Sequence, residues 1–217
     1  MNRVLILLLL VVFGVGNAWA MPAIECHCFR DREFDPARPA ATDDYILATC
    51  QNSLLAHLFA KNKKEIVRAR MSGVASRDLW LAFYLERKTG QGAGSWLERK
   101  GGGTSWIALA PKRILQELSP AKRDDDALAA AVIDRMLAEG LGVDAGALHT
   151  LRQRGTDDRQ LIAGCVLGRL LGRSPVDLVR KVEDGKTTWG LLVAEARLRP
   201  TELNGAIGRL VARSGGR

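Results

Sequence analysis

Histidine is scarce in this chain, with His27, His57 and His149 the only three in 217 residues. No HExxH or GxSxG motif occurs, and neither His57 nor His149 has a nucleophile or carboxylate at a recognised spacing. The sequence therefore carries no zincin-type metal helix and no hydrolase nucleophile elbow. Valine and isoleucine are sparse, and no stretch alternates apolar and polar residues in the way a half-buried strand requires. Beyond residue 20 no apolar run approaches the roughly 20 residues of a membrane-spanning helix. Cysteine is limited to Cys26, Cys28, Cys50 and Cys165, a spacing unsuited to a four-cysteine disulfide framework. A block of one charge sign is also lacking. The formal net charge is +8, yet acids and bases are interspersed along most of the chain, which reads as a solvated surface.

What is present begins with the N-terminus. Arg3 precedes an apolar stretch from Val4 to Val15, and Ala18-Trp19-Ala20 has the small-x-small form that signal peptidases cut after. This order predicts a secretory signal over residues 1–20, with periplasmic or secreted localisation after cleavage near Ala20. Glu25 before Cys26 disfavours a lipobox, so soluble export is the expectation, with no transmembrane segment in the mature chain. Export would also make disulfides chemically permissible.

Residues 21–41 read as an irregular arm. From Thr42 onward apolar residues recur at three and four, and the fold class read from this pattern is all-α. Helices are expected from Asp43 to about Ala60, from Asn62 to about Met71 with Gly73 beyond it, and from a Ser76 cap to Gly90. Residues Gly73, Arg77, Leu79, Leu85, Arg87, Gly90 and Gly103 recur 82 positions later as Gly155, Arg159, Leu161, Leu167, Arg169, Gly172 and Gly185. Thr104-Ser105-Trp106 recurs one residue further on, as Thr187-Thr188-Trp189. This internal repeat predicts two related modules of about five short helices each, residues 42–118 and 124–213. They would form two packed bundles or one pseudo-symmetric domain. The first long helix has its expected counterpart at about 125–139, and a final helix is expected after Pro200.

Several motifs invite function and have plainer explanations. Gly90-Gln-Gly-Ala-Gly94-Ser95 follows a helix rather than a strand, so it reads as a linker and not a dinucleotide loop. Gly185-Lys186-Thr187 ends like a P-loop, but Arg180 stands where that motif needs its first glycine. The segment from Trp189 to Gly208 imitates a helix-turn-helix with Arg197, Arg199 and Arg209. It lacks the turn glycine, and an exported chain leaves the chromosome behind, so DNA is excluded as a partner. Asp124-Asp125-Asp126 opens a helix, where the macrodipole favours acids and adjacent positions point apart.

Two features retain chemistry. Cys26, His27 and Cys28 form a candidate metal site for a soft or borderline ion, the only cofactor the sequence suggests. The competing reading is a disulfide from Cys26 or Cys28 to Cys50, closing a loop worth roughly 3 kcal/mol. Cys165 takes the repeat position of Phe83 and is expected to be a buried free thiol. Lys61, Lys63, Lys64 and Arg68 form a candidate anion-binding face on the short basic helix.

Cys-His-Cys-Phe-x-Asp-Arg at residues 26–32, Ala-Thr-Cys-Gln-Asn-Ser-Leu at 48–54 and Asp78-Leu-Trp80 together resemble uncharacterised exported bacterial helical proteins. The resemblance covers mainly residues 26–90 and implies no activity. The sequence thus points to a non-enzymatic exported helical binding or structural protein of the cell envelope, its partner a protein or an anionic envelope polymer. The alternative is a metal- or thiol-handling protein using Cys26, His27 and Cys28.

Overall fold

A computed structural model describes residues 29–215. The expectations that rest on the leader and on Cys26, His27 and Cys28 lie outside these residues. Those described form α1 (Asp43–Leu58), α2 (Lys63–Met71), α3 (Ser76–Thr89), α4 (Ala93–Gly101), α5 (Trp106–Leu109) and α6 (Lys112–Leu118). After a connection come α7 (Asp125–Leu141), α8 (Ala145–Gln153), α9 (Asp158–Leu171), α10 (Pro175–Glu183) and α11 (Trp189–Glu195). A 3₁₀ turn (Pro200–Glu202) leads into α12 (Leu203–Gly215). The class is all-α, with no strand among the described residues.

Local chemistry explains the boundaries. Asn62, Ser105, Asp124, Asp144, Asp157, Ser174 and Thr188 each accept a backbone N–H from the first turn of the helix they precede. At the other ends, Gly73, Gly90 and Gly103 have φ of 93°, 77° and 86°, and Gly155, Gly172 and Gly185 have 75°, 66° and 67°. A left-handed backbone of this kind is nearly free for glycine and strained for other residues. The helix starts Asp43, Lys63, Ser76 and Ala93 are followed 82 positions later by Asp125, Ala145, Asp158 and Pro175.

Some expected boundaries move. Ser76 is not the cap of α3 but its first residue; Ala75 holds the cap position with no side-chain bond, and the Ser76 hydroxyl is buried without a partner. Ser105 and Thr188, directly before the two tryptophans, cap α5 and α11. α1 stops at Leu58 because Ala60 turns left-handed at φ 51°. Pro200 opens the 3₁₀ turn, and α12 starts at Leu203.

α1 is buried without interruption from Ile46 to Ala56, including Thr49, Gln51, Asn52 and Ser53. A helix covered all round is a central one. Its neighbours are mostly drawn from later in the chain, since α9, α11 and α12 pack on it along with α2. Conversely, α7 is packed by α3, α5 and α6 from the earlier set, besides α8, α9 and α12. α1 is therefore clothed largely by the later set and α7 by both sets, and one continuous apolar core runs from Ile46 to Ile207. Glycines permit the tightest approaches. A Cβ on Gly164 of α9 would meet Val179 of α10 at 2.6 Å, and one on Gly168 would meet the Arg173 carbonyl at 2.9 Å.

Two reciprocal joints tie the sets together. Asp125 at the start of α7 accepts the Ile107 N–H of α5 at 3.1 Å, while Asp43 at the start of α1 accepts the Gly190 N–H of α11 at 2.8 Å. Arg77 of α3 meets Asp126 at 2.6 Å, and Arg159 of α9 reaches Asp44 at 4.0 Å.

Candidate functional site

The sequence candidates do not converge. Cys50 is a free thiol with no exposed surface, and burial pushes it up to about 12 despite the nearby Lys63 ammonium. Its proposed disulfide partners lie outside the described residues. Cys165 is likewise free and buried, pushed up to about 12 by burial first and then by the Asp134 charge. Neither is a ready nucleophile, because thiolates react and these are held as thiols. The His57 ring sits between α1 and α12, its Nε2 3.0 Å from the Asn204 carbonyl oxygen, whereas His149 is exposed on α8. Among the described residues, no three of His, Cys, Asp and Glu converge in a way that could hold a metal.

The basic run is divided by its partners. Lys61 pairs with Glu86 at 2.8 Å and lies over the Phe83 ring. Lys63 is half-buried, and burial lowers its pKa. Lys64 and Arg68 alone of the four stand exposed, one turn apart on α2.

The three consecutive acids also disperse. Asp124 caps α7, Asp125 binds Lys100 at 2.7 Å as well as α5, and Asp126 binds Arg77. In the C-terminal hairpin, Leu203, Ala206 and Ile207 bury α12 against the core, and Arg199 is paired with Glu202. α12 is thus a core helix rather than one free to enter a groove.

The densest charge cluster centres on Asp158, the first residue of α9. Arg152 of α8 reaches it at 2.6 Å and Arg77 of α3 at 2.7 Å, while Arg152 also grips Asp134 of α7 at 2.8 Å. Burial alone would raise the Asp158 pKa, but the bonds from Arg152 and Arg77 outweigh it and hold the carboxyl below its ordinary range. Every member is committed to another, so the cluster joins four helices and leaves no group facing a ligand.

A different place is open. A cleft of about 730 Å³ lies between α5, α6 and the connection to α7, within the range of roughly 300–1,000 Å³ typical of small-molecule sites. Its apolar lining is Ile107, Ala108, Ala110, Leu115 and Pro120. Lys112 and Arg123 supply its charge, and no carboxylate lines it. Both cations are exposed and make no ion pair or side-chain hydrogen bond among the described residues. Two smaller clefts, of about 420 and 310 Å³, occupy corresponding places beside α2 and α8. The first contains the closed Lys61–Glu86 pair, and the second includes Asp144 beside Arg169 and Arg173.

Sequence reasoning missed the large cleft because Ile107 and Ala108 of its apolar lining come from the four-residue α5, too short to show a period. The available signal was electrostatic: Lys112 stands shortly before the connection, and Lys122 and Arg123 lie within it. No protein-family model matches the chain, and comparison with curated proteins and with solved structures gives no match either.

Proposed function

We propose that this protein is an exported, non-enzymatic helical binding protein of the cell envelope, and that the α5–α6 cleft is its recognition surface for an anionic envelope component. The carrying observation is the pairing of an apolar lining with two unpartnered cations and no carboxylate. Elsewhere most charges close on one another, as Lys61 does on Glu86 and Arg152 on Asp134 and Asp158. Buried thiols and a histidine engaged by a backbone carbonyl supply no catalytic constellation among the described residues. Export rests on the leader pattern of residues 1–20.

The test is co-sedimentation of the purified mature chain with isolated envelope material, against a Lys112→Glu/Arg123→Glu variant. Retention should fall with rising ionic strength, as an exposed charge contact does, and should drop about tenfold in the variant with unchanged circular dichroism. Retention that ignores the charge reversal would sink the assignment of the cleft.

A second reading, metal or thiol handling through Cys26, His27 and Cys28, draws on one placement. Phe29, the residue after Cys28, packs edge-on against Tyr45 at 5.6 Å and borders a pocket lined by Thr49 and Lys63, close to Cys50. Peptide mapping of the oxidised protein decides it. Free Cys26 and Cys28, with co-purifying metal lost in Cys28→Ser, support this reading; both locked in disulfides end it.

A further inference from the structure

We infer that the α5–α6 cleft binds a single-chain amphipathic anion, specifically a free medium- or long-chain fatty carboxylate. This deepens the binding reading above and rests on it.

The lining decides the class of ligand. Ile107, Ala108, Ala110, Leu115 and Pro120 present hydrocarbon, and a chain of methylenes covering them leaves no polar atom of its own unsatisfied. A peptide would bring amides into the cleft and would need partners for them. The polar side chains available besides the two cations are Gln116 and Ser119, and the Ser119 hydroxyl already donates to the Gln116 carbonyl at 2.8 Å. Lys112 and Arg123 suit one carboxylate head, since each is an unengaged donor and no acid in the lining opposes an anion.

The neighbouring electrostatics agree. Three acids follow Arg123 directly, yet Asp124 is turned to the α7 backbone, Asp125 to Lys100 and Asp126 to Arg77. Their charge is spent within the fold, which leaves Lys112 and Arg123 uncompensated at the cleft. The corresponding place in the later set differs in shape. There α11 and the thirteen-residue α12 close over the core, leaving only a pocket of about 130 Å³ beside Arg209 and Arg213. A cleft large enough for a hydrocarbon chain therefore exists on the α5–α6 side alone of these two.

The experiment is calorimetric titration of the full mature chain with octanoate, decanoate and dodecanoate below their micellar concentrations, with dodecanol and anionic phospholipid vesicles as separate arms. Saturable binding of one dodecanoate per chain is expected, with affinity rising about two- to fourfold per added methylene. Dodecanol should bind about tenfold more weakly, and high ionic strength should narrow that gap. Two variants with unchanged thermal unfolding should lose binding for different reasons: Lys112→Glu/Arg123→Glu removes the head contact, and Ala108→Trp fills the exposed apolar lip.

The inference is overturned by no saturable dodecanoate binding, by equal affinity for dodecanol, or by binding indifferent to both variants. Association with vesicles alone, without free dodecanoate binding, overturns it too and indicates a membrane surface contact. If dodecanoate fails while envelope retention still depends on Lys112 and Arg123, the ligand class is wrong and the binding reading stands. If dodecanoate binds as expected but envelope retention is absent, the cleft is assigned and the envelope partner is not.

Discussion

Asp43 and Asp125 occupy corresponding positions and do the same structural job, each accepting backbone N–H groups from a short helix that begins with tryptophan. Their titrations nevertheless diverge. Burial raises Asp43, and the Gly190 and Trp189 amides recover only part of the loss. At Asp125 burial also raises the pKa, but Lys100 and the Trp106 and Ile107 amides together bring it below the ordinary value. A carboxyl with a raised folded pKa favours the folded state less as pH climbs through that value, whereas one with a depressed pKa supports folding at neutral pH and loses that support on acidification. Asp43→Asn keeps an oxygen for the amides and removes a poorly solvated charge. It should leave the melting temperature at neutral pH unchanged or raise it. Asp125→Asn strands Lys100 and should cost about 1 kcal/mol, a figure kept small because both side chains are 28% exposed. Parallel melts of the two variants at pH 7 check the contrast; equal losses would mean that Lys100 is not the source of the difference.

At the scale of elements, α9 carries two demands at once. Gly164 and Gly168 let α10 settle against it, so Gly164→Ala should cost about 1–3 kcal/mol by forcing Val179 aside, read as a fall in the denaturant midpoint. Its first residue, Asp158, links α3 and α8 to it through Arg77 and Arg152. Removing a buried partner from such a group leaves charge uncompensated, so Asp158→Ala should cost about 3 kcal/mol at neutral pH. Because its folded pKa is depressed, the stabilisation from Asp158 is present above about pH 4 and disappears as pH falls through the lower folded value. The difference in stability between wild type and Asp158→Ala should therefore shrink on acidification. The existence of these elements could be read directly, since a left-handed glycine ends a helix for steric reasons that act locally, as at Gly73, Gly90, Gly155 and Gly172. Their partners could not. Gln51, Asn52 and Ser53 are polar in sequence, yet all three are buried, because a polar residue does not disclose which helix will cover it. The cleft was hidden for a related reason: Ile107 and Leu115 lie on separate short helices, and only their packing makes one surface.

Across the whole molecule, the exchange of partners means that neither set of helices has a complete core of its own. α1 would lose α9, α11 and α12 if the chain were divided, and α7 would lose α3, α5 and α6. A covalent connection between the sets is not what holds them: the apolar core and the reciprocal Asp43 and Asp125 joints cross the division independently of it. The connection itself, residues 119–124, starts at a strained Ser119 with φ 44° and runs through exposed Ala121, Lys122 and Arg123. Exposed backbone between ordered helices is where proteases cut first. Limited trypsin digestion should therefore cleave after Lys122 or Arg123 before sites within the helices are reached. The two fragments should elute together in native size-exclusion chromatography and separate only in denaturant. Each fragment refolded alone should show no cooperative thermal transition, and mixing the two should restore one, at a midpoint that rises with fragment concentration because folding has become bimolecular. Fragments that separate under native conditions, or that melt cooperatively alone, would mean two self-sufficient bundles instead of one interleaved core. The same digest bears on the cleft, since bound dodecanoate would contact Arg123 and should slow cleavage there relative to the unliganded chain.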